Sequence, residues 1–239
     1  MAADYAAAGS RVVLTNTFRA NRLALEGYGL AEQVEAINRA GVELSRRGAA
    51  GRARVFASIG PSGKMLASGE VTRDLLLAAF TEQARALAAA GADALVVETM
   101  SDVDEAAIAV EAARGTGLQV VACMVYDSGR NRDRTMMGTT PEQATARLVA
   151  AGADIIGANC GCGIEGYVAV AARLRAATDR PIWIKANAGL PELVDGRVTY
   201  RMTPDQFATH ARGMEGVAYI GGCCGTNPAF IRSLARSCA

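Results

Sequence analysis

The sequence predicts an α/β fold with parallel strands, a (β/α) barrel or a doubly wound sheet, and as a (β/α)8 barrel it lacks its first strand. Three observations carry this expectation. Ala-rich helical stretches alternate with short apolar, β-branched runs along the whole chain, an order that gives parallel strands with helices packed outside them. The helix-stop signal Ala-Ala-Gly recurs at 7–9, 89–91 and 150–152, each time just before such a run. Polar residues then fall in one register, because seven residues after the glycine stand Asn16, Glu98 and Asn159, with Cys160 next to the last. A weaker copy, EGVAYIGGCCG, puts Cys223 seven residues after Gly216. In a barrel these are the carboxyl ends of strands, where active sites lie.

The elements follow in order. MAADYAAAG reads as a helix closed by Gly9, with no strand before it. Strands are expected in VVLTNTF at 12–18, RVFASIG at 54–60, ALVVETM at 94–100, QVVACMVY at 119–126, IIGANCG at 155–161, PIWIKANAG at 181–189 and EGVAYIGGCCG at 215–225. Helices are expected at about 30–47, 71–90, 103–114, 141–151, 165–177, 204–213 and 227–237, with Pro141, Pro204 and Pro228 near helix starts. Seven strands leave the barrel one short, and unpaired strand edges invite another chain. Self-association, or a sheet open at the gap with an exposed pocket, is therefore expected. No Pro/Ser linker, low-complexity tract or charge block divides residues 1–239, which read as a single domain.

Composition narrows the function classes. Of the 239 residues 51% are hydrophobic, ample for a sizeable core and far from the disordered classes. A net charge of +1 gives no electrostatic footprint for nucleic acid or an anionic membrane, so small molecules or proteins are the expected partners. Only 5% aromatics with 26 glycines disfavour an all-β sandwich. The start lacks a cationic leader with an apolar stretch, and no apolar run is long enough to span a bilayer. A cytoplasmic protein without a membrane segment is expected.

Six cysteines in such a chain point to metal or redox chemistry rather than to disulfides. Cys160 lies in GANCGCG and the pair Cys223 and Cys224 in IGGCCGT, each at the end of an expected strand. Three soft thiolates at one mouth suit Zn²⁺ and leave a fourth coordination position open. A single buried cysteine is more often a small hydrophobe. A strand-end cysteine together with a Gly-Gly-Cys-Cys-Gly turn favours the metal, whereas Cys162, Cys123 and Cys238 are expected to pack or to do nothing. Glu98 ends an apolar strand, so its carboxylate needs a cation; a substrate ammonium, a structural salt bridge and a helix cap all remain open. Asn16 and Asn159 have two readings as well, orienting a substrate or tying down loop backbone. His210, the lone histidine, is remote in sequence from every motif and offers no nucleophile relay. GPSGK at 60–64 lacks the spacing of a phosphate loop, and the polar stretch 127–140 is a solvated loop or a cover for the pocket.

Taken together, TNTF at 15–18, IGPSG at 59–63, VETMSD at 97–102, GANCG at 157–161, NAGLP at 187–191 and GGCCGT at 221–226 resemble the homocysteine S-methyltransferase family, in its order and over nearly the whole chain. The flavour is that of the homocysteine-binding domain of cobalamin-dependent methionine synthase. The resemblance implies a TIM barrel with zinc on Cys160, Cys223 and Cys224, an Asn187 oxygen lent to the metal until the substrate thiol arrives, and Glu98 on the substrate amino group. The family's opening strand, with its Asp-Gly-Ala-Met-Gly-Thr-like loop over the amino acid, has no counterpart here.

The implied activity is zinc-dependent methyl transfer to homocysteine or a related thiol, giving methionine. Small methyl donors serve some relatives, and a separate corrinoid protein is the other expected donor. Two competing readings are a catalytically impaired zinc-binding barrel acting as a scaffold, and a metal-free barrel using Gly221, Gly222 and Gly225 as an anion cradle.

Overall fold

A computed structural model describes residues 1–237; Cys238 lies outside the described residues. Seven parallel strands form one curled sheet: β1 (Val12–Leu14), β2 (Arg54–Ile59), β3 (Ala94–Met100), β4 (Val120–Met124), β5 (Ile155–Cys160), β6 (Ile182–Ala186) and, after a small hairpin, β9 (Val217–Gly222). They lie in chain order, β1-β2-β3-β4-β5-β6-β9, so the expected α/β barrel architecture with one strand short is the one observed. Among the described residues β1 and β9 are the two ends of that order and do not pair with each other. The helix expected at the start, α1 (Ala2–Ala7), lies near this seam, and its Tyr5 hydroxyl donates to the Thr226 carbonyl beyond β9 at 3.3 Å.

Each expected helix forms. Gly9, Gly91 and Gly152 all adopt positive φ, 100°, 89° and 102°, so the three Ala-Ala-Gly signals do end helices in the left-handed conformation that glycine tolerates. Thr140 and Thr203 cap α6 (Pro141–Ala151) and α8 (Pro204–Arg212) through reciprocal bonds with Gln143 and Gln206, with proline in the first turn. The Asp that follows two of these glycines has its own task. Asp93 accepts from the Val55 amide and Asp154 from the Val120 amide, fixing the start of one strand against the next.

Alternation along the strands separates two apolar layers. The outward residues join the helices in the main core, where Ile59, Leu95, Val97, Ile156 and Ile184 are fully covered. Inward residues Phe56, Ala94, Val96, Val121, Cys123, Ile155 and Trp183 fill the barrel itself, with Tyr219 of β9 packed against them. Gly157 is required there, because a Cβ would stand 2.2 Å from the Trp183 carbonyl oxygen. Among the described residues no helix is long and apolar enough to cross a membrane.

Two elements have no counterpart in the sequence reading. One is the five-residue helix α2 (Arg22–Glu26). The other is an exposed antiparallel hairpin, β7 (Glu192–Val194) and β8 (Arg197–Thr199), whose turn residues Asp195 and Gly196 both have positive φ.

Candidate metal centre and active site

Register brings the cysteines together. Cys160 pairs across from Ala186, and Ala186 from Gly222, so the ends of β5, β6 and β9 lie in one row. The Cys223 amide then donates to the Ala186 carbonyl at 2.7 Å, turning the chain so that both following sulfurs face Cys160. The three Sγ atoms of Cys160, Cys223 and Cys224 lie within 4.8 Å of one another. Ligands at about 2.3 Å on a tetrahedral zinc sit a little under 4 Å apart, so the triad is spaced to close on such an ion.

Asn187 locks the triad. Its Oδ1 accepts from the Cys224 amide at 2.9 Å, while its Nδ2 donates to the Gly161 carbonyl at 2.7 Å and lies 3.5 Å from Cys160 Sγ. Both contacts agree on the orientation of the amide. Its oxygen thus holds the Cys223–Cys224 turn in this structure.

Backbone strain is concentrated here. Thr99 and Cys160 both have left-handed φ, 60° and 63°, which a β-branched residue and a cysteine adopt only under constraint. The constraint at Thr99 is Asn159, fully buried, which accepts from the Thr99 amide at 2.7 Å and donates to its hydroxyl at 2.6 Å. At Cys160 it is Tyr167, whose hydroxyl donates to the Asn159 carbonyl at 2.8 Å.

Beside the triad stands a buried ion pair. Lys185 Nζ lies 2.8 Å from Glu98 Oε2 and 3.6 Å from Cys223 Sγ. Ser58 donates to the other Glu98 oxygen at 2.5 Å. Oε2 is sealed from solvent, and the Lys185 ammonium is its partner. Burial alone would favour neutral Lys185, but the Glu98 carboxylate and the Cys223 sulfur outweigh it and raise its pKa. The same field acts on the sulfurs. Cys223 is pulled down to about 5, chiefly by the hydrogen bond from Cys160 and further by Lys185, against the burial that opposes ionisation. Cys160 is pushed up by that same bond and by burial, and Cys224 is pushed up by burial and by the Cys223 charge. The Lys185 ammonium thus favours negative charge on the sulfur cluster.

The sequence profile of homocysteine S-methyltransferases matches residues 1–238. The chain belongs to that family. Methionine synthase of Mycobacterium tuberculosis is 31% identical over 99% of this chain, which spans 21% of that enzyme. Betaine–homocysteine S-methyltransferase 1 of Danio rerio is 30% identical over 98% of this chain and 62% of its own length. Among solved structures, the metallated form of the homocysteine methyltransferase MmuM from Escherichia coli superposes with a TM-score of 0.80 at 25% identity, covering 98% of this chain and 82% of that one.

The residues singled out from sequence divide into two groups. Cys160, Cys223, Cys224, Asn187 and Glu98 converge on the mouth of the barrel. Asn159 lies beneath them, its amide given over to Thr99, which is the backbone-tying reading of that residue. Asn16 is exposed, and its oxygen approaches Gly41 of α3 (Val34–Ala49) rather than the triad. Of the glycines in the anion-cradle reading, Gly222 and Gly225 make room for side chains: a Cβ at Gly222 would run into Thr226 Oγ1 and one at Gly225 into the Tyr200 ring. Cys162 is no part of the triad, and Cys123 is buried in the barrel interior.

Lys185 and Ser58 are the residues that sequence reasoning missed. For Lys185 a signal existed: it is a lone charge inside the strand IWIKA, on the same face as Trp183.

Proposed function

We propose that the chain is a zinc-dependent thiol S-methyltransferase that transfers a methyl group to homocysteine and yields methionine. The observation that carries this reading is the cluster of three cysteine sulfurs, delivered by two non-adjacent strands to the mouth of the barrel. Cys160, Cys223 and Cys224 would hold the zinc. When bound, the ion keeps the acceptor sulfur in its nucleophilic thiolate form at neutral pH.

The chain's own residues do the rest. Asn187 fixes the turn that carries two of the ligands, and it would release its oxygen to the metal only by giving up the Cys224 amide. Glu98, a buried carboxylate beside the sulfur cluster, receives the acceptor's ammonium. The apolar barrel interior closes the sulfur cluster from below, while Cys224 stays open to solvent above. In the reaction a sulfur–carbon bond forms as the methyl group's bond to the donor breaks, the electron pair leaves with the donor, and the thiol proton is released. Donors fall into two classes, a small methylated compound or a separate corrinoid protein. The polar loop 127–140, pinned by Arg173 to Asp133 at 2.6 Å, follows the carboxyl end of β4, the end of the strands that carries the triad. We place the activity in the cytoplasm, where thiols stay reduced.

The test is zinc-loaded protein incubated with homocysteine and a panel of methyl donors, with methionine detected by mass. Methionine formed in proportion to bound zinc is expected. Its absence with every donor, zinc being bound, would overturn the assignment.

A further inference from the structure

Lys185 is left over by that function. It projects into the barrel one register step above Trp183, is 15% exposed, and contacts Glu98 on one side and Cys223 on the other. A buried ammonium of this kind is costly unless its charge is used. For the acceptor it poses a problem. An ammonium arriving at Glu98 meets a second ammonium already there, and like charges in a water-poor site repel strongly. An acceptor that brings a carboxylate on the same carbon as its ammonium removes the conflict, because the four charges then alternate in sign.

Homocysteine is such an acceptor. Only two methylenes separate its sulfur from the carbon bearing both charges, so a sulfur seated at the triad carries the head group to the pair that borders Cys223. We propose that Lys185 binds the α-carboxylate of the acceptor, so that Glu98 and Lys185 together form a receptor for a zwitterion and select amino-acid thiols over thiols lacking either charge. This inference rests on the thiol methyltransferase reading and names the specificity determinant of the same site. Two observations carry it independently of any relative: the ion pair shielded inside the barrel, and the approach of the same Lys185 ammonium to Cys223 of the sulfur cluster.

The experiment uses zinc-loaded protein and three thiols titrated by calorimetry: homocysteine, mercaptopropylamine, which is homocysteine without the carboxylate, and mercaptobutanoate, which is homocysteine without the ammonium. Wild type should bind each analogue about tenfold or more weakly than homocysteine. Lys185→Met should weaken homocysteine by about tenfold or more, leave mercaptopropylamine unchanged or tighter, and keep its zinc. Lys185→Arg should restore most of the discrimination. Equal weakening of homocysteine and mercaptopropylamine by Lys185→Met would reduce the residue to a structural strut and overturn the proposal. Equal binding of those two thiols by wild type would overturn it without any variant, which covers the case in which Lys185→Met does not fold. If zinc-loaded wild type binds none of the three, the thiol reading itself fails, and the inference with it.

Discussion

The interior of the barrel has a floor and a mouth, built by the same strands at successive inward positions. On β2 the step runs from Phe56 to Ser58, on β3 from Val96 to Glu98, on β6 from Trp183 to Lys185, and on β9 from Tyr219 past Gly221 to Cys223. Below, Phe56 stacks on Trp183 with ring centroids 6.0 Å apart, and Trp183 packs against Tyr219 at 5.2 Å. Above, the same faces carry a carboxylate, an ammonium and thiols. Two residues of strand therefore separate an aromatic plug from a charged receptor, which teaches that the plug is what makes the receptor possible. It denies water access from below, so the charges must satisfy one another or a ligand.

That contrast is open to direct attack. The largest effect is expected at the mouth: Cys160→Ser should release most of the zinc in elemental analysis, while Cys162→Ala keeps it. Full zinc in the Cys160→Ser protein would remove the residue from the centre. At the floor, Trp183→Ala should cost about 3–5 kcal/mol in denaturant unfolding, yet the protein that remains folded should still bind zinc stoichiometrically. Loss of metal in step with stability would mean that the two layers are one unit. Glu98→Gln should weaken homocysteine by about 2–4 kcal/mol at unchanged zinc content, and an unchanged dissociation constant would exclude Glu98 from the acceptor site.

The smallest effect lies outside both layers. The Arg173 guanidinium bonds Glu142 and holds its carboxyl down at about 2, against an ordinary 4.5. A carboxyl depressed in the folded state adds stability above its ordinary pKa, and that stability is lost as pH falls from 4.5 towards 2. The pair is half exposed, so the loss should stay under about 1 kcal/mol. Arg173→Ala should flatten this acid limb of stability without touching metal binding, and an unaltered pH profile would show that the pair contributes nothing.

The strands and the metal triad were legible because their signals are local. Ala-Ala-Gly marks each helix end, the β-branched runs that follow mark buried strands, and Gly-Gly-Cys-Cys-Gly writes two ligands into one turn. What stayed hidden depends on curvature. Glu98 lies on β3 and Lys185 on β6, with two strands between them in the sheet order, and only the curl of the sheet brings their side chains into contact across the barrel. Asn159 could be read either way because its partner, Thr99, lies on another strand at a bulge between Val97 and Met100. The hairpin is a different case. Asp195-Gly196 between Leu193-Val194 and Arg197-Val198 is a type I′ turn signal that stands in the sequence, masked by the exposure of every flanking apolar residue.

The placement of the ligands has a consequence for cooperativity. Cys223 and Cys224 follow the end of β9, which among the described residues has a hydrogen-bonded neighbour on one side only, whereas Cys160 ends β5, two places inward. A metal held by all three sulfurs spans β6 and fastens the outermost strand to the middle of the sheet. Binding energy then appears as resistance to local opening at the seam. Amide hydrogen exchange in β9 should slow on zinc loading far more than in β3 or β4, so that the ion ties the fraying margin of the sheet into its slowest-exchanging core.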